Sequence, residues 1–173
     1  MNITSKINIF LLFLLLFTAI VSCNKDKYEQ VPYVPVNVKI NLYSHLTFMG
    51  IGETVMVLPD DDNIGYIKFN DDSGNNVSLT SKVYGYGIIL YRYDQELFLA
   101  YDRTCTFRPE TNYCALEFDG SGILPTCPCC SSRFIVSYAG EATGYPTSDS
   151  QAALALKQYR TTVSNGTLTI TNY

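Results

Sequence analysis

The sequence predicts an all-β domain of short, mostly antiparallel strands. Three observations carry this: runs of alternating apolar and polar residues, turn signals between those runs, and little helical periodicity. The composition agrees, since 14 Tyr and 9 Phe with only 16% charged residues suit a packed β-rich domain rather than a disordered chain.

Taken in order, the N-terminus reads as an export segment outside that domain. Lys6 precedes the apolar run Ile9 to Phe17, and Thr18-Ala19-Ile20-Val21-Ser22 leads to Cys23. A charged start, an apolar stretch of about 7–15 residues and small residues before a cut describe a secretory signal. A spanning helix would need about 20 apolar residues. Ile20-Val21-Ser22-Cys23 resembles the bacterial lipobox. That resemblance implies a signal peptide over 1–22, a lipidated Cys23 with a polar tether over 23–32, and one domain over 33–173. It also implies an exported lipoprotein anchored to a membrane of the bacterial cell envelope. Acyl chains would hold it there, at about 0.8 kcal/mol per buried CH2.

Loss of 1–22 removes Lys6 from the 12 basic residues and leaves 11 against 16 acidic, net −5. The basic residues form no stripe, so the chain is not expected to bind nucleic acid. What remains is long enough to bury a core as one domain.

Val34 to Leu42 alternates Val36, Val38, Ile40 and Leu42 with polar residues and reads as the first strand. Thr54 to Leu58 is a second run, ended by the turn Pro59 to Asn63. Gly65 to Phe69 is a short strand before a turn at Asp71 to Asn76. Gly87 to Tyr93 and Leu97 to Tyr101 are strong strands joined by Asp94-Gln95-Glu96 as a hairpin. Leu116 to Phe118 and Arg133 to Tyr138 follow. Tyr159 to Val163 and Thr167 to Ile170 flank Ser164-Asn165-Gly166, a hairpin signal because both central residues of a type I′ turn need positive φ. Ser150 to Leu156 is the one helix candidate.

Two cysteine boxes interrupt this pattern: Cys105-Thr106-Phe107 and Cys127-Pro128-Cys129-Cys130-Ser131-Ser132-Arg133-Phe134. They resemble the Cys-x-His and Cys-Pro-x-His-Gly-Ser-x-Phe loops of the Rieske iron–sulfur domain family, over roughly residues 83–173. The resemblance implies a small antiparallel β-sandwich with two cysteine-bearing loops at one end. The stretch 33–82 has no counterpart and is expected to add strands at the other end. Cys105 and Cys127 match the family's two thiolates, whereas Phe107 and Cys130 stand where it has its two histidines. A Rieske centre needs two imidazoles, and the chain's one histidine is His45. The expectation is a degenerate Rieske-like frame without the ordinary Cys2His2 [2Fe–2S] site. Ser131 replaces the family's loop glycine. Cys129 matches a position that carries a loop-to-loop disulfide in some Rieske proteins, with Cys114 as its partner here.

Five thiols besides Cys23 leave three readings open. Cys105, Cys127 and Cys130, with Cys114 as fourth, can form a thiolate site for zinc or a variant [2Fe–2S] cluster, since Cys127-x-x-Cys130 has chelating spacing. Disulfides can tie the loops instead, through Cys114–Cys129 and Cys105–Cys127 or Cys105–Cys130, because an exported domain sits in an oxidising compartment. A redox-active thiol would need cations, and Arg103 and Arg133 are the candidates. The n-region lacks the paired arginines of a folded-export route, which favours disulfides and no cofactor. His45 reads as structural, Asp60 to Gly65 as a solvated turn rather than a calcium loop, and Tyr84, Tyr86, Tyr91 and Tyr93 as packing residues. Asp102-Arg103 suggests an ion pair that orients the first loop. No catalytic residue stands out, and an oxygenase subunit is excluded because its iron needs further histidines. The expected function is a lipid-anchored envelope protein with a non-catalytic binding or structural role, with a protein partner at the cysteine-loop end. The alternative is a ferredoxin-like electron-transfer component with a cysteine-ligated iron–sulfur or zinc centre.

Overall fold

The computed structural model describes residues 31–70, 76–118, 124–138 and 141–172. The expected signal peptide, Cys23 and the expected tether as far as residue 30 lie outside the described residues. Among the described residues, twelve strands and one short helix follow in order: β1 (Asn37–Asn41), β2 (Thr54–Pro59), β3 (Ile64–Phe69), β4 (Asn76–Lys82), β5 (Ile88–Arg92), β6 (Phe98–Asp102), α1 (Pro109–Asn112), β7 (Glu117–Phe118), β8 (Pro125–Thr126), β9 (Phe134–Tyr138), β10 (Glu141–Pro146), β11 (Gln158–Ser164) and β12 (Thr167–Thr171). Among the described residues, no helix is long and apolar enough to cross a membrane.

Eight strands form one antiparallel sheet in the order β1-β12-β11-β6-β5-β2-β3-β4. Its two edges meet: Lys39 N–H donates to Ser81 Oγ at 2.9 Å, and the Ser81 hydroxyl donates to Lys39 O at 3.3 Å. The sheet therefore curls over itself, and the two layers of the sandwich are halves of one sheet. Curling also hides the edges, which would otherwise offer unpaired backbone groups. Residues 33–82 thus join both margins of this sheet rather than forming an addition at the far end, because β1 pairs with β12 and β2 with β5.

The interior takes one face of each strand: Val38 and Ile40, Val55 and Val57, Ile67, Ile88 and Leu90, Leu168 and Ile170. Period-two alternation put these residues on one side. β6 is different, being buried at every position (Phe98-Leu99-Ala100-Tyr101-Asp102). Phe98 and Ala100 face the interior, while Leu99 and Tyr101 join Ile89 in a second core on the outer face. The hairpins β7–β8 and β9–β10 cover that outer face. Tyr101 OH donates to Val136 O at 2.7 Å, tying β9 to the sheet.

The hairpin at Asn165-Gly166 forms as the sequence predicts, with φ of 50° and 69°. The helix expected over 150–156 does not form; among the described residues the helix is α1 at Pro109–Asn112. The polar groups of 150–156 are taken by neighbouring loops: Ser150 Oγ accepts from Arg133 N–H at 2.9 Å, and Leu156 N–H donates to Gly144 O at 2.9 Å. Strands β4, β8 and β10 were not legible beforehand. β4 is mostly polar, β8 has two residues, and β10 carries a bulge between Ala142 and Tyr145.

Candidate metal centre

The first cysteine loop leaves β6 through a buried carboxylate. Asp102 Oδ2 accepts from Tyr159 OH at 2.5 Å, and Asp102 Oδ1 accepts from Thr104 N–H at 2.8 Å. Burial first, then the facing Asp102 charge, push the Tyr159 hydroxyl far above its ordinary range, so it stays a donor. The expected Asp102–Arg103 ion pair is a correction: the two side chains turn to different partners. Arg103 closes the loop's neck, with Nε donating to Leu116 O at 2.6 Å and Nη1 to Tyr86 O at 3.1 Å. Arg103 O accepts from Leu116 N–H at 2.8 Å, and Cys105 N–H donates to Cys114 O at 2.8 Å. Burial lowers the Arg103 pKa, and Glu117 opposes this.

The second loop is a tight turn. Cys127 N–H donates to Ser132 O and Ser131 N–H to Cys127 O, each at 2.8 Å. Ser131 holds φ of 58°, a left-handed conformation that favours glycine. This explains the glycine of the family pattern at that position, and here a serine bears the strain. The segment 150–156 straps both loops together. Gln151 Nε2 donates to Cys130 O at 2.9 Å, Ala152 N–H to Ser132 Oγ at 2.9 Å, and Thr106 OH to Leu154 O at 2.7 Å.

Five sulfurs converge between these loops. Cys114 and Cys129 form the loop-to-loop disulfide, with Cα atoms 6.4 Å apart. Cys105, Cys127 and Cys130 are free and buried, and their sulfurs all lie within 4.8 Å of one another. Two expectations are corrected. Cys114 cannot be the fourth thiolate while it is bridged to Cys129, and neither Cys105–Cys127 nor Cys105–Cys130 is bonded. Cys127 Sγ also lies within 4.8 Å of both disulfide sulfurs.

The Cys105 and Cys130 pKa values are shifted in opposite directions. Burial holds Cys105 well above the ordinary thiol range; Phe107 N–H, 3.5 Å from its sulfur, opposes this, and Cys127 and Cys130 add to it. At Cys130 burial again opposes ionisation, but the Ser132 hydroxyl and N–H and the two neighbouring thiols outweigh it, and the pKa falls. Cys130 Sγ lies 3.1 Å from Ser132 Oγ and 3.6 Å from Cys105 Sγ. Since Ser132 Oγ already accepts from Ala152, its own hydrogen is available to a Cys130 thiolate. Arg103 and Arg133 do not supply the activating charge: Arg103 bonds carbonyls and Arg133 pairs with Asp149.

This donor set does not fit an ordinary Rieske cluster. Phe107 has no lone pair to give, and its half-buried ring packs on the second core under Arg108, whose Cζ is 5.3 Å from the ring centroid. His45 lies in the segment after β1, where its Nδ1 accepts from Asn41 N–H at 3.2 Å. Among the described residues, no histidine or carboxylate joins the three sulfurs. The set does fit one thiophilic ion. Sulfurs about 2.3 Å from a tetrahedral ion lie about 3.8 Å apart, and the Cys105–Cys130 separation is 3.6 Å.

The remaining candidates are structural. Asp60 Oδ1 accepts from Asp62 N–H at 2.9 Å and Ile64 N–H at 2.7 Å, as a solvated turn does. Tyr86 OH donates to Tyr113 O at 2.6 Å, and Tyr91 and Tyr93 pack on the second core. Sequence reasoning passed over Ser132 and Gln151 as thiol-loop supports. Ser132 lies inside the second box, but its role depends on a strap 20 residues away.

No family model matches the chain, and no curated protein matches it. Among solved structures, the chain is similar to the ferredoxin of carbazole 1,9a-dioxygenase from Nocardioides aromaticivorans IC177, at 16% identity and a TM-score of 0.39, over 82% of this chain and all of that one.

Proposed function

We propose that this chain is a lipid-anchored, Rieske-like domain of the bacterial cell envelope in which a three-thiolate metal centre replaces the Cys2His2 [2Fe–2S] site. The observation that carries the reading is the trio of free, buried, mutually close sulfurs at Cys105, Cys127 and Cys130. Buried polarisable thiols without nitrogen or oxygen donors select thiophilic ions such as zinc or copper(I). The Ser132 hydroxyl and the Phe107 N–H would stabilise the thiolates as outer-shell donors, and the ion itself would supply charge compensation. The role is non-catalytic: binding or structure at the loop end. The Cys114–Cys129 bridge holds the two loops against each other whether or not metal is present. Export and lipidation rest on the Lys6-to-Cys23 pattern.

Electron transfer is the second reading. It is favoured by one fact, that Cys105 and Cys127, the two positions matching the family's thiolates, are both unbridged. It requires a redox-active ion or cluster at the site.

The test is native intact mass and metal analysis of the anchor-free domain, produced with its export route intact. The expected result is one ion per chain and a mass lowered by two hydrogens for a single disulfide. A mass lowered by four hydrogens with no metal would sink the proposal. Iron and sulfide with visible absorption would move the assignment to electron transfer.

A further inference from the structure

We infer that the cysteine-loop end is an intramolecular thiol–disulfide exchange site, in which Cys127 attacks the Cys114–Cys129 bridge and releases the thiol of exposed Cys129. The inference uses the sulfurs of the metal reading but stands without it, since the exchange runs in the metal-free chain.

The five sulfurs fall into two groups that share one atom. Cys105, Cys127 and Cys130 lie within 4.8 Å of one another, and so do Cys114, Cys127 and Cys129. Among the described residues, Cys127 is the one sulfur common to both groups, and it is free. A thiol is thus set beside a disulfide. The other two free thiols face each other: Cys130 Sγ lies 3.6 Å from Cys105 Sγ and 3.1 Å from Ser132 Oγ. A change of staggered rotamer moves a cysteine sulfur by about 3 Å, enough to close a gap of 4.8 Å to a bond of about 2 Å. The loop backbone, held where Cys127 N–H donates to Ser132 O at 2.8 Å, need not open.

Cys127 faces two bridge sulfurs, and two arguments select Cys114 as its target. Attack there makes Cys129 the leaving group. Cys129 is exposed and Cys114 buried, and a departing thiolate is better stabilised by water than by an apolar core. Attack on Cys129 would instead join two residues separated by Pro128 alone, whose ring fixes φ. It would also leave the two loops without a covalent tie.

The step balances without an outside oxidant. The Cys127 thiol gives its proton to water, and the thiolate attacks Cys114 Sγ. The Cys114–Cys129 bond breaks as the Cys114–Cys127 bond forms, and the Cys129 thiolate takes up a proton. One disulfide and three thiols remain. Because Cys127 lies two positions before Cys129, the new bridge still ties the loops and closes a ring of nearly the same length. Loop-closure entropy therefore favours neither isomer strongly. Two things change: the buried trio loses Cys127, and an exposed thiol appears where Cys105, Cys127 and Cys130 had all been buried. Exchange and metal binding compete for Cys127.

The test uses the full chain, purified without reductant and stripped of metal with a chelator. It is treated in its native state with a maleimide too bulky for a buried thiol, quenched in acid and peptide-mapped without reduction. Label is expected at Cys129, with Cys114 linked to Cys127 in the same molecules, and Cys127→Ser should lower that labelling at least tenfold. Should that variant misfold, Cys129→Ser gives a second measurement, in which Cys114 should be bridged to Cys127. Four results overturn the exchange: label on other thiols with Cys114–Cys129 intact, no label in the domain, label that survives at Cys129 in folded Cys127→Ser, or free Cys114 in folded Cys129→Ser. One equivalent of zinc added before the maleimide should suppress labelling of Cys129. Labelling that persists unchanged in zinc counts against the three-thiolate reading and leaves the exchange standing.

Discussion

Tyr159→Phe isolates the contact that roots the first cysteine loop. Tyr159 and Asp102 are each 2% exposed, and the phenol donates to Asp102 Oδ2 at 2.5 Å. Phenylalanine keeps the packing and removes only the hydroxyl, so the carboxylate retains Thr104 N–H as a partner and loses the other. A hydrogen bond to a charged group contributes about 1.5–3 kcal/mol, and a buried acceptor left short of a donor costs a similar amount. We expect a loss of about 2 kcal/mol. With a urea slope of about 1–3 kcal/mol/M, the unfolding midpoint should fall by roughly 1 M. A second signature separates this contact from lost packing. The Tyr159 pKa is raised in the fold, so the folded state holds its proton where the unfolded state releases it. The stabilisation is complete below the unfolded value near 10 and is lost as pH rises above it, by at most about 1.4 kcal/mol per pH unit. Tyr159→Phe should therefore flatten the alkaline fall relative to wild type. A urea midpoint within 0.2 M of wild type, with unchanged alkaline behaviour, would refute the role given to this pair.

Four further outcomes are expected. Replacing Cys114 and Cys129 together with alanine removes a bridge between residues 15 apart, and should cost about 3 kcal/mol in chemical unfolding; a loss under 1 kcal/mol would mean the loops are held by the 150–156 strap alone. Ser131→Gly should raise stability by up to about 1 kcal/mol, since a side chain at φ of 58° is strained by about 1–2 kcal/mol, partly offset by glycine's larger unfolded-state freedom; a lower melting temperature contradicts this. Metal binding should tighten as pH rises through the thiol range, because burial holds Cys105 protonated and each proton released on binding adds up to tenfold per pH unit; a pH-independent affinity in a chelator-competition assay would argue against thiolate ligation. The double variant Phe107→His, Cys130→His should gain iron and sulfide with visible absorption on reconstitution if the frame is Rieske-like, and its failure while folded would count against the resemblance.

What the amino-acid sequence alone determined was set locally. Alternation placed Val38, Ile40, Val55 and Val57 inside, Asn165-Gly166 made its turn, and the two boxes, with Cys114 between them, singled out Cys105, Cys114, Cys127, Cys129 and Cys130 while leaving open which of them pair and which stay free. Period and turn chemistry act over a few residues, so one chain carries them in the open. The tertiary structure decided the rest, because those outcomes depend on which distant segments meet. It curled a single sheet until Lys39 reached Ser81, kept 150–156 out of a helix by giving its hydrogen bonds to both loops, and turned Asp102 and Arg103 to separate partners. It also brought three sulfurs together unbridged. A disulfide or a ligand is chosen by separation in space, and residues 25 positions apart reveal that separation only when the loops are folded against each other.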